Sequence, residues 1–113
     1  MSKPPRSDRE LVDDMIGFCD CLLEFTEGID FQYFYKTKMC FMACLHSLTL
    51  LGEASIKVSK DTKKMHPNIP WRAMSDLRNV LVHWYHGVEL RIPWETIQND
   101  IPSLIEALRH IKP

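Results

Sequence analysis

A chain of 113 residues, 45% hydrophobic and 26% charged, is long enough for one core and too short for two. Four glycines are too few for a strand-and-turn architecture, and a formal net charge of -1 excludes a global field that would draw in a polyanion, so any nucleic-acid affinity must come from a local basic patch. The longest apolar run, Met39 to Leu45, is broken by His46 and Ser47, against the roughly 20 apolar residues of a membrane span, so no membrane helix is expected.

The amino terminus, MSKPPRSDRE, lacks the apolar core of a secretory leader, and residues 1–6 read as a frayed end. A cytoplasmic protein is expected. Ser7 and Glu10 have the spacing of a capping box. Leu11, Met15, Phe18, Leu22 and Phe25 then alternate steps of four and three, which predicts a first amphipathic helix ending near Gly28. Asp30 opens the next segment, where FQYFYKTK can form a short helix before a longer one from about Thr37 to Ser59. The inward row of that longer helix is Phe41, Leu45, Leu48, Gly52 and Ser55, and its small late members permit close approach of a neighbour.

The stretch KVSKDTKKMHPN reads as a fraying helix end and a loop. Its lysines, Lys57, Lys60, Lys63 and Lys64, suit either phosphate contacts or a solvated helix end. IPW occurs at Ile69–Trp71 and again at Ile92–Trp94, each time with proline where a first helical turn tolerates its missing N–H. The third principal helix is expected to bury Met74, Leu77, Leu81 and Trp84. The fourth is expected to bury Ile97, Ile101, Leu104, Leu108 and Ile111, with Pro102 marking a kink or a restart capped by Asp100. The fold class is therefore all-α, an up-and-down four-helix bundle with room for an extra short helix, in a single domain spanning 1–113.

Cys19, Cys21, Cys40 and Cys44 sit among apolar residues and read as small buried hydrophobes. Two thiols in CDC stand about 200° apart on a helix and do not converge on one zinc ion. No metal site and no cofactor is expected.

The end of the third helix, RNVLVHWYHG, concentrates the polar chemistry. On a regular wheel Tyr85 lies about 20° from Arg78, Asn79 about 100° and His83 about 140°. Asn79 and His83, four apart, suit an amide–imidazole hydrogen bond. Arg78 and His83 of one chain do not easily converge on one small group, whereas two copies about a two-fold axis can each supply the residue the other lacks. A guanidinium holds non-bridging phosphate oxygens, and an imidazole moves protons near neutral pH, so the pair suits metal-free phosphoryl chemistry. The same residues also suit a salt-bridge donor and a cation facing a helix dipole. Trp84 reads as packing or a dimer contact, and His86 as exposed.

RNVLVHWY fits the pattern RxxxxHxY, and the run HPNIPWRAMSDLRNVLVHWYHGVELRIPWETIQNDIPSLIEAL around it, with FTEGIDF and LLGEAS upstream, resembles the HepT-like toxin family of the HEPN superfamily from about Leu11 onward. The resemblance implies an all-α bundle that forms a homodimer or higher even oligomer, cleaves RNA without a metal, and is neutralised by a small nucleotidyltransferase antitoxin. It makes Arg78 and His83 the catalytic pair and Asn79 the residue that orients the histidine. Tyr85 becomes the acceptor of adenylyl groups. Glu53, in GEAS, matches an acidic position, as a catalytic group or as a structural partner of Arg78. The alternative is a non-catalytic helical module that binds its nucleotidyltransferase or a nucleotide, with Arg78 as an anion anchor.

Overall fold

Seven helices make up the computed structural model, which describes residues 5–83 and 89–111 and, of His83, the backbone alone. In chain order they are α1 (Asp8–Phe25), α2 (Phe31–Lys36), α3 (Lys38–Lys57), α4 (Lys60–Met65), α5 (Trp71–His83), α6 (Arg91–Asn99) and α7 (Ile101–Arg109). No strand occurs among the described residues. α3 is central, with α1 on one side and α5 on the other; α7 covers α1, and α2 bridges α3 and α6.

The helix directions follow from the contacts at their ends. Asp8 at the start of α1 bonds Ser59 just beyond α3, while the Cys40 thiol near the start of α3 donates to the Phe25 carbonyl at the end of α1. These two helices are antiparallel. Lys63 of α4 joins the Ile56 carbonyl to the Trp71 ring, so α5 starts where α3 ends and runs back along it. α1, α3, α5 and the α6–α7 pair thus form the four arms of the expected up-and-down bundle.

Local rules explain the boundaries. The capping box is complete, with the Glu10 N–H donating to Ser7 Oγ and the Ser7 N–H to Glu10 Oε1, both at 3.1 Å. Arg6, inside the stretch expected to fray, pairs with Glu10 at 3.2 Å and with Asp14 at 2.7 Å. α1 stops at Phe25 rather than at Gly28; the intervening turn needs the left-handed backbone that Gly28 supplies at φ 71°. Asp30 caps α2 by accepting the Tyr33 N–H at 2.9 Å.

Three expectations are corrected. Phe25 is 40% exposed instead of inward, and Val12 and Cys19 complete the buried row of α1. The lysine-rich stretch is not a loop: Ser59 accepts the Thr62 N–H and starts α4 as a helix of its own. The fourth arm breaks into α6 and α7 at Asp100, yet no side-chain cap forms there; the Asp100 carbonyl accepts the Leu104 N–H and the Ser103 hydroxyl.

The core joins Met15, Cys19 and Leu22 of α1 to Cys44, Leu48 and Leu51 of α3 and to Ile97, Ile101 and Leu108 of the fourth arm. Burial pushes the Cys19 and Cys44 thiols up to about 12, which keeps them protonated and inert. Met74 and Leu81 of α5 are buried as expected, Leu77 is only half-buried, and Trp84 lies outside the described residues. By length and composition α3, 20 residues at mean hydropathy 1.4, would suffice to cross a bilayer, contrary to the expectation from its interrupted apolar run. Its contacts with α1, α2 and α5 account for that apolar character.

Candidate functional site

Gly52 sets the spacing of the helices that carry the site. A Cβ there would overlap the Cβ of Arg78 and lie 2.8 Å from the Met74 carbonyl oxygen, so α3 and α5 meet backbone against side chain at this point. The contact places Arg78 beside Glu53, the next residue on α3.

Arg78 Nη2 donates to Glu53 Oε1 at 3.4 Å and Nη1 to Asn79 Oδ1 at 3.1 Å. Its Nε is buried and finds no acceptor among the described residues. The Arg78 side chain retains 30% of its exposure and that of Glu53 40%, so the pair lies at the surface edge of the helix contact. Each terminal nitrogen of a guanidinium carries a second N–H beyond the bond described, which leaves the fork able to meet an anion. Ile56, one turn past Glu53, and Val82, one turn past Arg78, are both 45% exposed and flank the polar group with apolar surface.

The structure thus brings three of the expected residues together: Arg78, Glu53 and Asn79. Glu53 is the partner of Arg78. Asn79 spends its amide oxygen on Arg78. His83 ends α5 five residues beyond Arg78, and its side chain, like Tyr85, Trp84 and His86, lies outside the described residues. Of the four lysines, Lys63 is engaged, donating to the Ile56 carbonyl at 3.3 Å and lying 5.8 Å above the Trp71 ring. Lys57 and Lys60 are exposed at the junction of α3 and α4, and Lys64 is exposed on α4.

Sequence reasoning missed an apolar cavity of about 560 Å³ between α5 and the fourth arm, lined by Leu48, Leu51, Met74, Leu77 and Leu104, with Asp100 at its rim. Of the expected site residues that are described, Arg78, Asn79 and Glu53 do not line it. The cavity exists because α5 is held chiefly by α3. A periodicity argument counts inward positions and does not reveal that two inward faces fail to touch.

A four-armed helical bundle with an arginine clamped between a carboxylate and an amide, five residues ahead of a histidine, is an all-α domain of the HEPN-like class. The Ribonuclease HepT-like family matches residues 15–111, and the chain belongs to that family. The enzyme class that the sequence resemblance implies, an endoribonuclease, stands on that membership. A protein described as probable ribonuclease HepT from Thermococcus cleftensis is 39% identical over 99 residues, covering 88% of this chain and 90% of its own. A candidate RNase of Methanocaldococcus jannaschii is 34% identical, covering 92% of this chain and 94% of its own. Another, from Caldanaerobacter subterraneus subsp. tengcongensis, is 33% identical, with 94% and 95% covered. No solved structure gives a significant match.

Proposed function

We propose that the protein is the toxin of a two-component toxin–antitoxin system, a metal-independent endoribonuclease acting in the cytoplasm as a homodimer. The observation that carries this reading is the Arg78 fork, clamped by Glu53 and Asn79 on the helix that ends in His83. In the proposed reaction His83 takes the proton of an RNA 2′-hydroxyl and the 2′-oxygen attacks the adjacent phosphorus. Arg78 holds the non-bridging oxygens as their charge grows. The P–O5′ bond breaks and the leaving oxygen takes the proton back from the His83 imidazolium, giving a 2′,3′-cyclic phosphate, a 5′-hydroxyl and a regenerated imidazole.

Two features support a shared site. The wheel separates Arg78 from His83 by about 140°, and the apolar pair Ile56 and Val82 beside the Arg78 group suits a two-fold contact. Control is proposed to act at Tyr85. A cognate nucleotidyltransferase transfers adenylyl groups from ATP to its hydroxyl, releasing pyrophosphate, and the added phosphate competes with RNA for the arginine.

Incubating the protein with RNA in EDTA tests the reaction. Cleavage that survives chelation and yields cyclic phosphate ends supports it; RNA that binds and stays intact favours the non-catalytic binding module. Intact-mass measurement with the partner enzyme and ATP tests the control: AMP added to the wild type and not to Tyr85→Phe is the expected result.

A further inference from the structure

Tyr33 of α2 is exposed, and the other three aromatic residues of that helix divide into two groups. Phe34 is fully buried, 5.2 Å from the Trp94 ring and 6.5 Å from Phe41, and belongs to the core. Phe31 bridges inward to Trp94 at 6.2 Å, and its outward side is occupied differently. The Arg91 guanidinium carbon lies 4.0 Å above its ring, and Tyr35 follows at 5.9 Å, one helical turn on. Tyr35 is 58% exposed. The result is a surface row of planar groups, Arg91, Phe31 and Tyr35, whose last member is uncovered.

Besides Arg91 within the row, Lys36 follows Tyr35 in sequence and Lys38 opens α3. Arg91, Lys36 and Lys38 are exposed, and none forms an ion pair among the described residues, although Glu95 stands one turn from Arg91. The acids closest in sequence are Asp30, which is committed to capping α2, and Glu89, exposed two residues before Arg91 and in no ion pair among the described residues. The row also lies in the direction of the site: α5 runs antiparallel to α3, toward the end where α2 sits, and Arg91 opens α6 eight residues after His83.

The geometry points to a base-stacking subsite for single-stranded RNA, in which a base lies on Tyr35 and extends the Arg91–Phe31–Tyr35 row while Lys36 and Lys38 take the neighbouring phosphates. An exposed aromatic face accompanied by unpaired cations is the chemistry that holds unstacked bases. A second copy of the chain is a poor occupant, because a two-fold contact here would set Lys36, Lys38 and Arg91 against their own images. A duplex is also excluded, since its bases are already stacked. The inference rests on the ribonuclease reading for its ligand and adds where the strand lies and in what form.

The test measures binding of a fully 2′-O-methylated single-stranded RNA, which cannot be cleaved for want of the attacking hydroxyl, by the intact wild-type chain and its variants. Tyr35→Ala is expected to weaken binding roughly tenfold or more, and Tyr35→Phe, which keeps the ring, to restore it. Replacing Lys36 and Lys38 with Gln should reduce the salt slope by about 1.4, the value for two phosphate contacts on a single strand. With cleavable RNA the Tyr35→Ala loss should appear in KM. Binding by Tyr35→Ala equal to wild type overturns the subsite and leaves RNA cleavage by the wild type standing. Binding without cleavage by the wild type fails the ribonuclease reading and leaves the subsite standing. A wild type that binds no RNA overturns both, and a Tyr35→Ala chain that changes oligomeric state while RNA binding holds shows the row to be a protein contact.

Discussion

Gly52 and Arg78 touch across the α3–α5 contact so closely that no side chain fits between them, and this contact brings the guanidinium to Glu53. A residue without chemistry thereby positions the residue that carries it. Gly52→Ala is expected to push α5 outward, costing about 1–3 kcal/mol of stability and several degrees of melting temperature. RNA cleavage should fall further than stability, because the guanidinium moves with the helix. Gly17, exposed within α1, provides the control: a Cβ there meets nothing within 4 Å, so Gly17→Ala should raise stability by about 0.5–1 kcal/mol. Melting curves of the two variants moving in the same direction would contradict this account.

Glu53→Gln separates the two roles considered for Glu53. The pair with Arg78 is long at 3.4 Å and partly exposed, so its loss should change stability by less than about 1 kcal/mol. Its effect on activity depends on what Glu53 does. If it only holds Arg78, Gln keeps an acceptor oxygen and most of the cleavage rate; if it moves a proton, the rate falls on the order of a hundredfold and the pH profile loses a limb. The structure favours the first, because Glu53 already accepts from the guanidinium.

Asp8 links stability to pH. Its carboxyl is held below the usual 3.8 first by the Ser59 hydroxyl, then by the Thr62 hydroxyl and the Ser59 N–H, with Lys63 adding to the effect against partial burial. The bonds are 2.5, 2.6 and 3.0 Å. A depressed carboxylate contributes stability that is fully present above its unfolded value and lost as pH falls through the lower folded value. Asp8→Asn should therefore lower stability by about 1 kcal/mol at neutral pH and flatten the acid limb of the stability curve below 3.8. Denaturant titrations across that range check both the offset and the slope.

Much of this is legible in the residues. The capping box, the cap at Asp30, the inward row of the fourth arm and the small-residue notch at Gly52 follow from spacing alone. On α3, Leu48, Gly52 and Ser55 are buried as expected, but Phe41 and Leu45 are half-buried and Cys44, Ser47 and Leu51 face inward instead. α4 escapes a periodicity argument because its six residues carry no buried face and only Ser59 announces it. Periodicity carried to the end of α1 places Phe25 inward, whereas this last residue of the helix is 40% exposed. The Arg78–Asn79 bond is also illegible: residues adjacent in sequence point about 100° apart, and only a side chain as long as arginine's folds back to meet the next one. Spacing points Asn79 at His83 instead, and the amide still has an NH₂ group for that use.

Complementation tests the shared site directly. Arg78→Ala and His83→Ala are each expected to reduce RNA cleavage on the order of a hundredfold or more with an unchanged melting curve. If each site takes Arg78 from one copy and His83 from the other, a mixed dimer of the two variants contains one intact site, built from the arginine of one chain and the histidine of its partner. Random re-pairing makes half the dimers mixed, so an equal mixture should recover about a quarter of the wild-type rate. The two variants are refolded together from denaturant, refolded separately as controls, and assayed on the same RNA. Sites contained within single chains predict no recovery, because every mixed dimer would then hold two sites each lacking one group. Recovery that appears only after joint refolding would establish that the helix ends of two copies work as one site.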